Sequence, residues 1–371
     1  MTADKYRFPF LDLGKLNEPM FDELTRAASR VIRSGRYIGG KEVDGLARDM
    51  TSLTGTRFCL PVSNGLDALR LILRCYVEIG VIERGSEVIL PANTFIATAL
   101  AVTDAGLTPV FADPDPATLL IDRDEIRRLL SSRTAAVMPV DLFGRVWDDS
   151  ELISELHSRG ILIIEDSAQA IGALSLSRTP AGSVGDAAGF SFYPTKNAGA
   201  LGDAGAVCTS DQQLFEMAEA FANYGRRNSV LSLYQGFNCR MDPVQAAMLR
   251  IKLRYLNNEI EARRRNAHLY SSLIVNQEIA LPPDEPGMIY HQYVVRVADQ
   301  QRFISYLDRS GVQAAVHYSP AVHRQPCMLH YGASCPVAER LSHSVVSLPV
   351  SSATSSADVR EIAAIINNFH T

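Results

Sequence analysis

Between about residues 57 and 210 the chain alternates short apolar runs with segments of helical apolar spacing. EVILPA (87–92), TPVFAD (108–113), AAVMPV (135–140) and ILIIED (161–166) are mostly apolar and are bounded by Gly, Pro or Asp. A strand with one wet face alternates apolar and polar residues, so near-continuous apolar runs imply burial on both faces, as in a mainly parallel sheet. GLDALRLILRCYVEIG (65–80), RDEIRRLLSS (123–132) and DDSELISELHSRG (148–160) carry apolar residues at three-to-four spacing, the pattern of a helix packed along one side. The alternation predicts a large doubly wound α/β domain around a mainly parallel, mixed sheet.

The remainder reads differently. From Met241 to Tyr270 a long helical stretch presents Val244, Met248, Ile251 and Tyr255 as one stripe. LPPDEPG (281–287) marks a loop. Beyond it, strands are expected in HQYVVRV (291–297), VQAAVHY (312–318) and SVVSLPV (344–350), with helices in QRFISYLDRSG (301–311) and SADVREIAAIINNF (356–369). With 371 residues the chain exceeds a typical single core. The expected division is a large domain over 1–250 and a smaller α+β domain over 251–371.

Composition removes several function classes. A net charge of −5 with no basic run argues against a nucleic-acid binder. Cys59, Cys75, Cys208, Cys239, Cys327 and Cys335 are scattered with no CxxC pair, so neither a zinc ribbon nor a disulfide framework is expected, and no metal site. The apolar stretch at 89–106 is interrupted by Pro91, Asn93 and Asp104, which does not suit a membrane span. The N-terminus lacks a signal-peptide pattern, so a soluble, cytoplasmic protein is expected.

Two motifs carry the chemistry. GFSFYPTKNAGALGDAGA (189–206) places Lys196 after an apolar strand and before a turn of small residues; IIEDSAQAIG (163–172) ends a buried strand on Asp166. A lysine able to form a Schiff base and an aspartate able to hold a pyridine nitrogen protonated are the pair that a pyridoxal phosphate (PLP) site requires. Read alone, Lys196 suits a strand-end surface lysine and Asp166 a helix N-cap; the pairing favours the cofactor. Gln169 stands one turn beyond Asp166, at the ring hydroxyl or simply in the core. Ser63, Asn64 and Gly65 precede a helix starting near Leu66, where free N–H groups bind phosphate, although such a triplet is also an ordinary cap. Ser191 is a second phosphate candidate. Phe95, just after a strand, is either a core aromatic or one that stacks on a ring.

Together these segments resemble the DegT-type nucleotide-sugar aminotransferases, a branch of the fold-type I PLP enzymes. The resemblance runs from FLDLGKLNEP (10–19) and SGRYIGG (34–40) through SNGLDAL, PANTFIAT, DLFG and EDSAQAIG to SFYPTKN, GALGDAGA, GFNCRMDPVQAAML and VHYSPAVHRQP. It implies that Lys196 carries the cofactor and Asp166 the pyridinium, with Gln169 at the ring hydroxyl. It also implies Gly65, Leu66 and Ser191 at the phosphate, Phe95 on the ring, and Asn238 reaching the neighbouring subunit's cofactor in a homodimer with shared active sites. Cys239, Ala198 and Ala204 depart from the family's commoner residues without touching that chemistry.

The resemblance further implies L-glutamate as amino donor and a nucleotide-linked keto sugar as acceptor. Tyr193, three residues before Lys196, is similar to members that aminate C-3 of a dTDP-linked 6-deoxyhexose. A C-4 or UDP-linked keto sugar, or a non-catalytic regulatory protein on the same fold, are the alternatives. Arg226 and its neighbour Arg227, His323 and Arg324 are candidates for the substrate diphosphate, and Tyr37 and Tyr193 for the sugar; solvated basic loops are the plainer reading of the first group.

Overall fold

The apolar runs become strands of one sheet in the computed structural model, which describes residues 6–227 and 230–370. In chain order the strands are β1 (Phe58–Val62), β2 (Glu87–Pro91), β3 (Thr108–Ala112), β4 (Thr134–Val137), β5 (Leu162–Asp166), β6 (Ala187–Ser191) and β7 (Gly205–Thr209). Their order across the sheet is β1-β7-β6-β5-β4-β2-β3. Every neighbouring pair is parallel except the two made by β7, so β7 alone runs backwards. The expected mixed, mainly parallel sheet is borne out.

Alternate residues of each strand serve different cores. Val88, Leu90 and Ile164 pack with Leu69, Ile72 and Tyr76 of the helix Gly65–Glu78. Ile89, Val137 and Ile163 turn to the opposite face, into a core shared with Tyr293, Val295, Val346 and Ile362. Burying one such side chain contributes roughly 1.5–3 kcal/mol, which fixes register, because a one-residue slip would exchange the two faces. The helix Gly65–Glu78 begins where it does because the Asn64 side chain accepts from the Asp67 backbone N–H at 2.8 Å.

The C-terminal part carries a small antiparallel sheet of β8 (Ile279–Ala280), β9 (Tyr293–Val297) and β10 (Val345–Leu348), ordered β10-β9-β8. The expected strand over 312–318 does not form. Ala315 alone bridges Ser347; Phe8 instead bonds Gly311 and Gln313, both at 2.9 Å, and the segment's far end turns its His317 and Tyr318 side chains away to Ser347 and Gln169. The long helical stretch also divides, into Pro243–Arg254 and Leu256–Leu273. The Val244–Met248–Ile251–Tyr255 stripe belongs to the first piece and its end, against Met20, Leu24 and Val31. At the junction Tyr255 donates its hydroxyl to Glu23 at 2.6 Å. Among the described residues no helix is long and apolar enough to cross a membrane.

Candidate active site

One edge of the sheet gathers the sequence-identified residues. Register pairs Asp166 with Gly189, Ser191 with Gly205, and Gly205 with Val62. The last residues of β1 and β6 and the first of the reversed β7 therefore end level, with β5 ending two residues short of β6, on the edge at which open α/β sheets hold ligands.

The turn after β1 and the end of β6 press against each other without room for side chains. A Cβ on Gly65 would lie 2.7 Å from Ser191 Cβ, and one on Gly205 would lie 2.3 Å from the Asn64 carbonyl carbon. Asn64 and its backbone satisfy the Asp67 and Ala68 N–H groups, which leaves the Gly65 and Leu66 N–H groups ahead of any intrahelical acceptor. These two amides and the Ser191 hydroxyl, which among the described residues accepts a 3.3 Å contact from Tyr193 N–H, form a cradle fit for a phosphate.

Asp166 is buried. Its Oδ2 accepts from the Thr98 hydroxyl at 2.7 Å and its Oδ1 from the Ala168 N–H at 3.2 Å. Burial pushes the carboxyl up; Thr98, Ala168 and the Lys196 charge pull it back. On the other face of β5, Glu165 accepts from Gly182, Val184 and Gly185 N–H groups at 2.8–2.9 Å, and its burial holds it up near about 7. Asp141, fully buried, takes hydrogen bonds from Trp147 N–H and the Ser167 hydroxyl and is likewise raised by burial and by Glu165.

Lys196 follows β6 and is half-buried. Burial lowers its ammonium to about 8, against an opposing pull from Asp166. A neutral amine is thus accessible near neutral pH, as a nucleophilic or proton-carrying lysine requires. Around it stand two imidazoles held neutral. His291 is buried with Nδ1 2.7 Å from Asn197 Oδ1, and burial and the Lys196 charge drive it well down. His317, with Nδ1 2.8 Å from Ser347 Oγ, is lowered to about 4 by burial and then by Lys196.

Gln169 is spoken for on both sides of its amide: Oε1 accepts from Phe143 N–H at 2.7 Å and Nε2 donates to the Tyr318 hydroxyl at 2.8 Å. One Nε2 hydrogen is left over. Phe95 is not a core residue. It is 53% exposed, with its ring centroid 5.4 Å from that of Tyr318.

The substrate candidates scatter more widely. Tyr193 is exposed beside Lys196. Tyr37 is exposed and donates to Ile32 O at 3.0 Å. Arg226 is exposed over the Tyr224 ring, and Arg227 pairs with Glu216. His323 departs from expectation: its side chain is fully buried, with Nε2 2.9 Å from Glu339, because the 322–324 turn packs inward against Phe111. Arg324 is half exposed but also engages Glu339, at 2.8 Å. Asn238 is exposed. Among the described residues no hydrogen bond or ion pair joins Tyr37, Arg226, His323, Arg324 or Asn238 to Lys196 or Asp166.

Sequence reasoning missed Thr98, His291, His317 and Tyr318. The HY pair of VHYSPAVHRQP was the available signal, at the opposite end of that motif from His323 and Arg324. Thr98, in the first turn of the helix Ile96–Asp104, carried no local signal.

Comparison with known proteins agrees with this geometry. The sequence pattern of the DegT/DnrJ/EryC1/StrS aminotransferase family matches residues 20–367. The dTDP-3-amino-3,6-dideoxy-alpha-D-galactopyranose transaminase of Aneurinibacillus thermoaerophilus is 41% identical over 364 residues, 97% of this chain and 99% of that protein. The UDP-N-acetyl-3-dehydro-alpha-D-glucosamine 3-aminotransferase of Acidithiobacillus ferrooxidans is 34% identical, covering 96% of each. Among solved structures, S. venezuelae DesV in complex with a ketimine intermediate superposes with a TM-score of 0.92 at 35% identity over 98% of both chains.

Proposed function

The chain belongs to the DegT/DnrJ/EryC1/StrS aminotransferase family, and from that premise we propose that it moves the amino group of L-glutamate onto C-3 of a dTDP-linked 3-keto-6-deoxyhexose. The observation that carries the reading is Lys196, lowered to about 8, near buried Asp166 and on the sheet edge that also holds the Gly65–Ser191 cradle.

That donor set fits PLP. The close approach of Gly65 to Ser191, which leaves no room for a Cβ, sets the Ser191 hydroxyl beside the helix-start Gly65 and Leu66 N–H groups, as a phosphate requires. When bound, PLP supplies an aldehyde that amines condense with and a ring that accepts the electron pair of a broken C–H bond. The chain's residues do the rest. The Gly65 and Leu66 N–H groups and Ser191 Oγ hold the phosphate. Asp166 faces the ring nitrogen as an anion, Gln169 offers its remaining Nε2 hydrogen to the ring hydroxyl, and exposed Phe95 covers the ring. Lys196 Nζ takes the proton from the α-carbon of glutamate and later delivers one to C-3 of the sugar. His291 and His317, held neutral beside it, add no competing positive charge.

Tyr193 and Tyr37 are assigned to the sugar and Arg226 to the diphosphate; Arg324 would have to leave Glu339 to join it. A homodimer in which Asn238 of each chain completes the other's site is part of this reading, with Leu201, 47% exposed in the single chain, left for the second copy to cover. The division near residue 250 into a PLP-binding and a smaller domain, and a cytoplasmic location, belong to the same reading.

A UDP-linked 3-keto sugar is the second reading, favoured by the relative that acts on one. Incubation with glutamate and, separately, dTDP-3-keto-6-deoxyglucose, its galactose epimer and a UDP-3-keto sugar, with products read by mass spectrometry, tests both. Amination of a dTDP sugar is expected, with no turnover by Lys196→Ala; wild-type turnover in that variant, or amination of the UDP sugar alone, contradicts the assignment.

A further inference from the structure

Two buried threonines stand behind Asp166, and only the nearer, Thr98, touches it. Thr94 and Thr98 are 1% and 0% exposed, and their hydroxyl oxygens are 2.8 Å apart. Thr98 Oγ1 lies 2.7 Å from Asp166 Oδ2. A hydroxyl has one hydrogen. An ionised Asp166 can only accept, so Thr98 donates to it, and Thr94 must then donate to Thr98. The row has a direction, and it points at the carboxylate.

We infer that Thr98 is a positioning residue for Asp166: its hydroxyl, oriented by Thr94, fixes the rotation of the carboxylate and favours the anionic form that the ring nitrogen requires. The inference rests on the PLP reading of the site and deepens it.

The surroundings make such a device necessary. Asp166 is buried, and burial disfavours the anion. Its neighbour in sequence, Glu165, on the opposite face of the strand, and Asp141, whose backbone N–H bonds Asp166 O at 3.0 Å, are buried carboxyls themselves pushed up by burial and supply no positive charge. The Tyr318 hydroxyl, held by Gln169, also faces it and supplies no charge. Among the described residues Lys196 is the cation drawn to it, and that charge is lost whenever the amine is neutral. Donors to the carboxylate are then Thr98 Oγ1 and the Ala168 N–H, the latter longer at 3.2 Å. Hydrogen bonds to a charged acceptor are the stronger kind, so Thr98 supplies most of the stabilisation that does not depend on Lys196.

Geometry makes Thr98 specific for this task. Thr98 lies in the first turn of the helix Ile96–Asp104 and Thr94 just before its N-cap Phe95, and both are turned inward against each other. Phe95, between them, points outward. One five-residue segment thereby presents an exposed ring on one side and a directed hydroxyl row on the other.

The test uses the PLP-loaded full chain with Thr98→Val, which keeps the shape and removes the donor, Thr98→Ala as a second variant lacking it, and Thr98→Ser, which restores it. Two quantities are read: the PLP dissociation constant, and the pH midpoint of the bound cofactor's visible absorption band, which reports the charge on the ring and which a merely structural change would not move. Loss of the donor is expected to weaken PLP binding roughly tenfold or more and to raise the midpoint by about half a unit or more, because a ring that is less often protonated withdraws less charge from the lysine nitrogen. Thr98→Ser returns both values to wild type. Wild-type affinity and midpoint in a folded Val or Ala variant, or a Ser variant that behaves like Val, overturns the inference. A wild-type protein that shows no PLP band overturns the site reading itself, and this inference with it.

Discussion

At the scale of single residues the site depends on two things: close backbone approach and a lysine that is easily made neutral. A Cβ at residue 65 would press on Ser191 Cβ at 2.7 Å, so Gly65→Ala is expected to weaken PLP binding at least tenfold while the protein stays folded, as apoprotein titration with PLP would read. Unchanged affinity would show that the cradle has room to spare. Lys196 is lowered to about 8, so its amine is protonated below that pH and free above it. The rate of PLP attachment to apoprotein should therefore rise with pH to a plateau just above about 8. A rise continuing toward the ordinary lysine value near 10.5 would mean that burial does not tune it.

Elements carry the site because strand ends are fixed by strand interiors. Phe190 and Phe192 are buried on either side of Ser191, and they set the height at which Ser191 and Lys196 leave the sheet. Phe192→Ala should cost about 3–5 kcal/mol of stability by the loss of a large buried side chain, read as a lowered midpoint in urea unfolding; a cost below about 1 kcal/mol would contradict that packing role. Strands β2, β4 and β5 were legible in the sequence, since runs such as EVILPA and ILIIED are buried on both faces and need no partner to be recognised. The 312–318 run reads as a strand by composition. Its pairing was decided by Phe8, some three hundred residues away, and by the pull of Ser347 and Gln169 on His317 and Tyr318, none of which is visible locally. The same limit applies to the site. Lys196, Asp166, Gln169 and Ser191 sit in short motifs whose order is informative. Thr98, His291 and His317 matter only through contacts that the fold brings together, and His323 was read as free where a turn buries it against Glu339.

The whole molecule is proposed to work as a pair. Exposed Leu201 and exposed Asn238 are what a second copy would cover, and shared sites have a specific signature. Lys196→Ala and Asn238→Ala, each impaired alone, should complement on mixing: the hybrid has one site with both its own lysine and its partner's asparagine. About a quarter of wild-type activity is expected from random re-association, and no recovery would place Asn238 outside the partner's site. The central claim, a PLP aminotransferase acting at C-3 of a dTDP-linked sugar, is tested most directly in two half-reactions on purified PLP enzyme. L-Glutamate should abolish the visible band of the bound cofactor, and dTDP-3-keto-6-deoxyglucose or its galactose epimer should then restore it. Loss of the band with glutamate but no return with either sugar would contradict the proposed substrate, and a band that glutamate leaves unchanged would contradict glutamate as the donor.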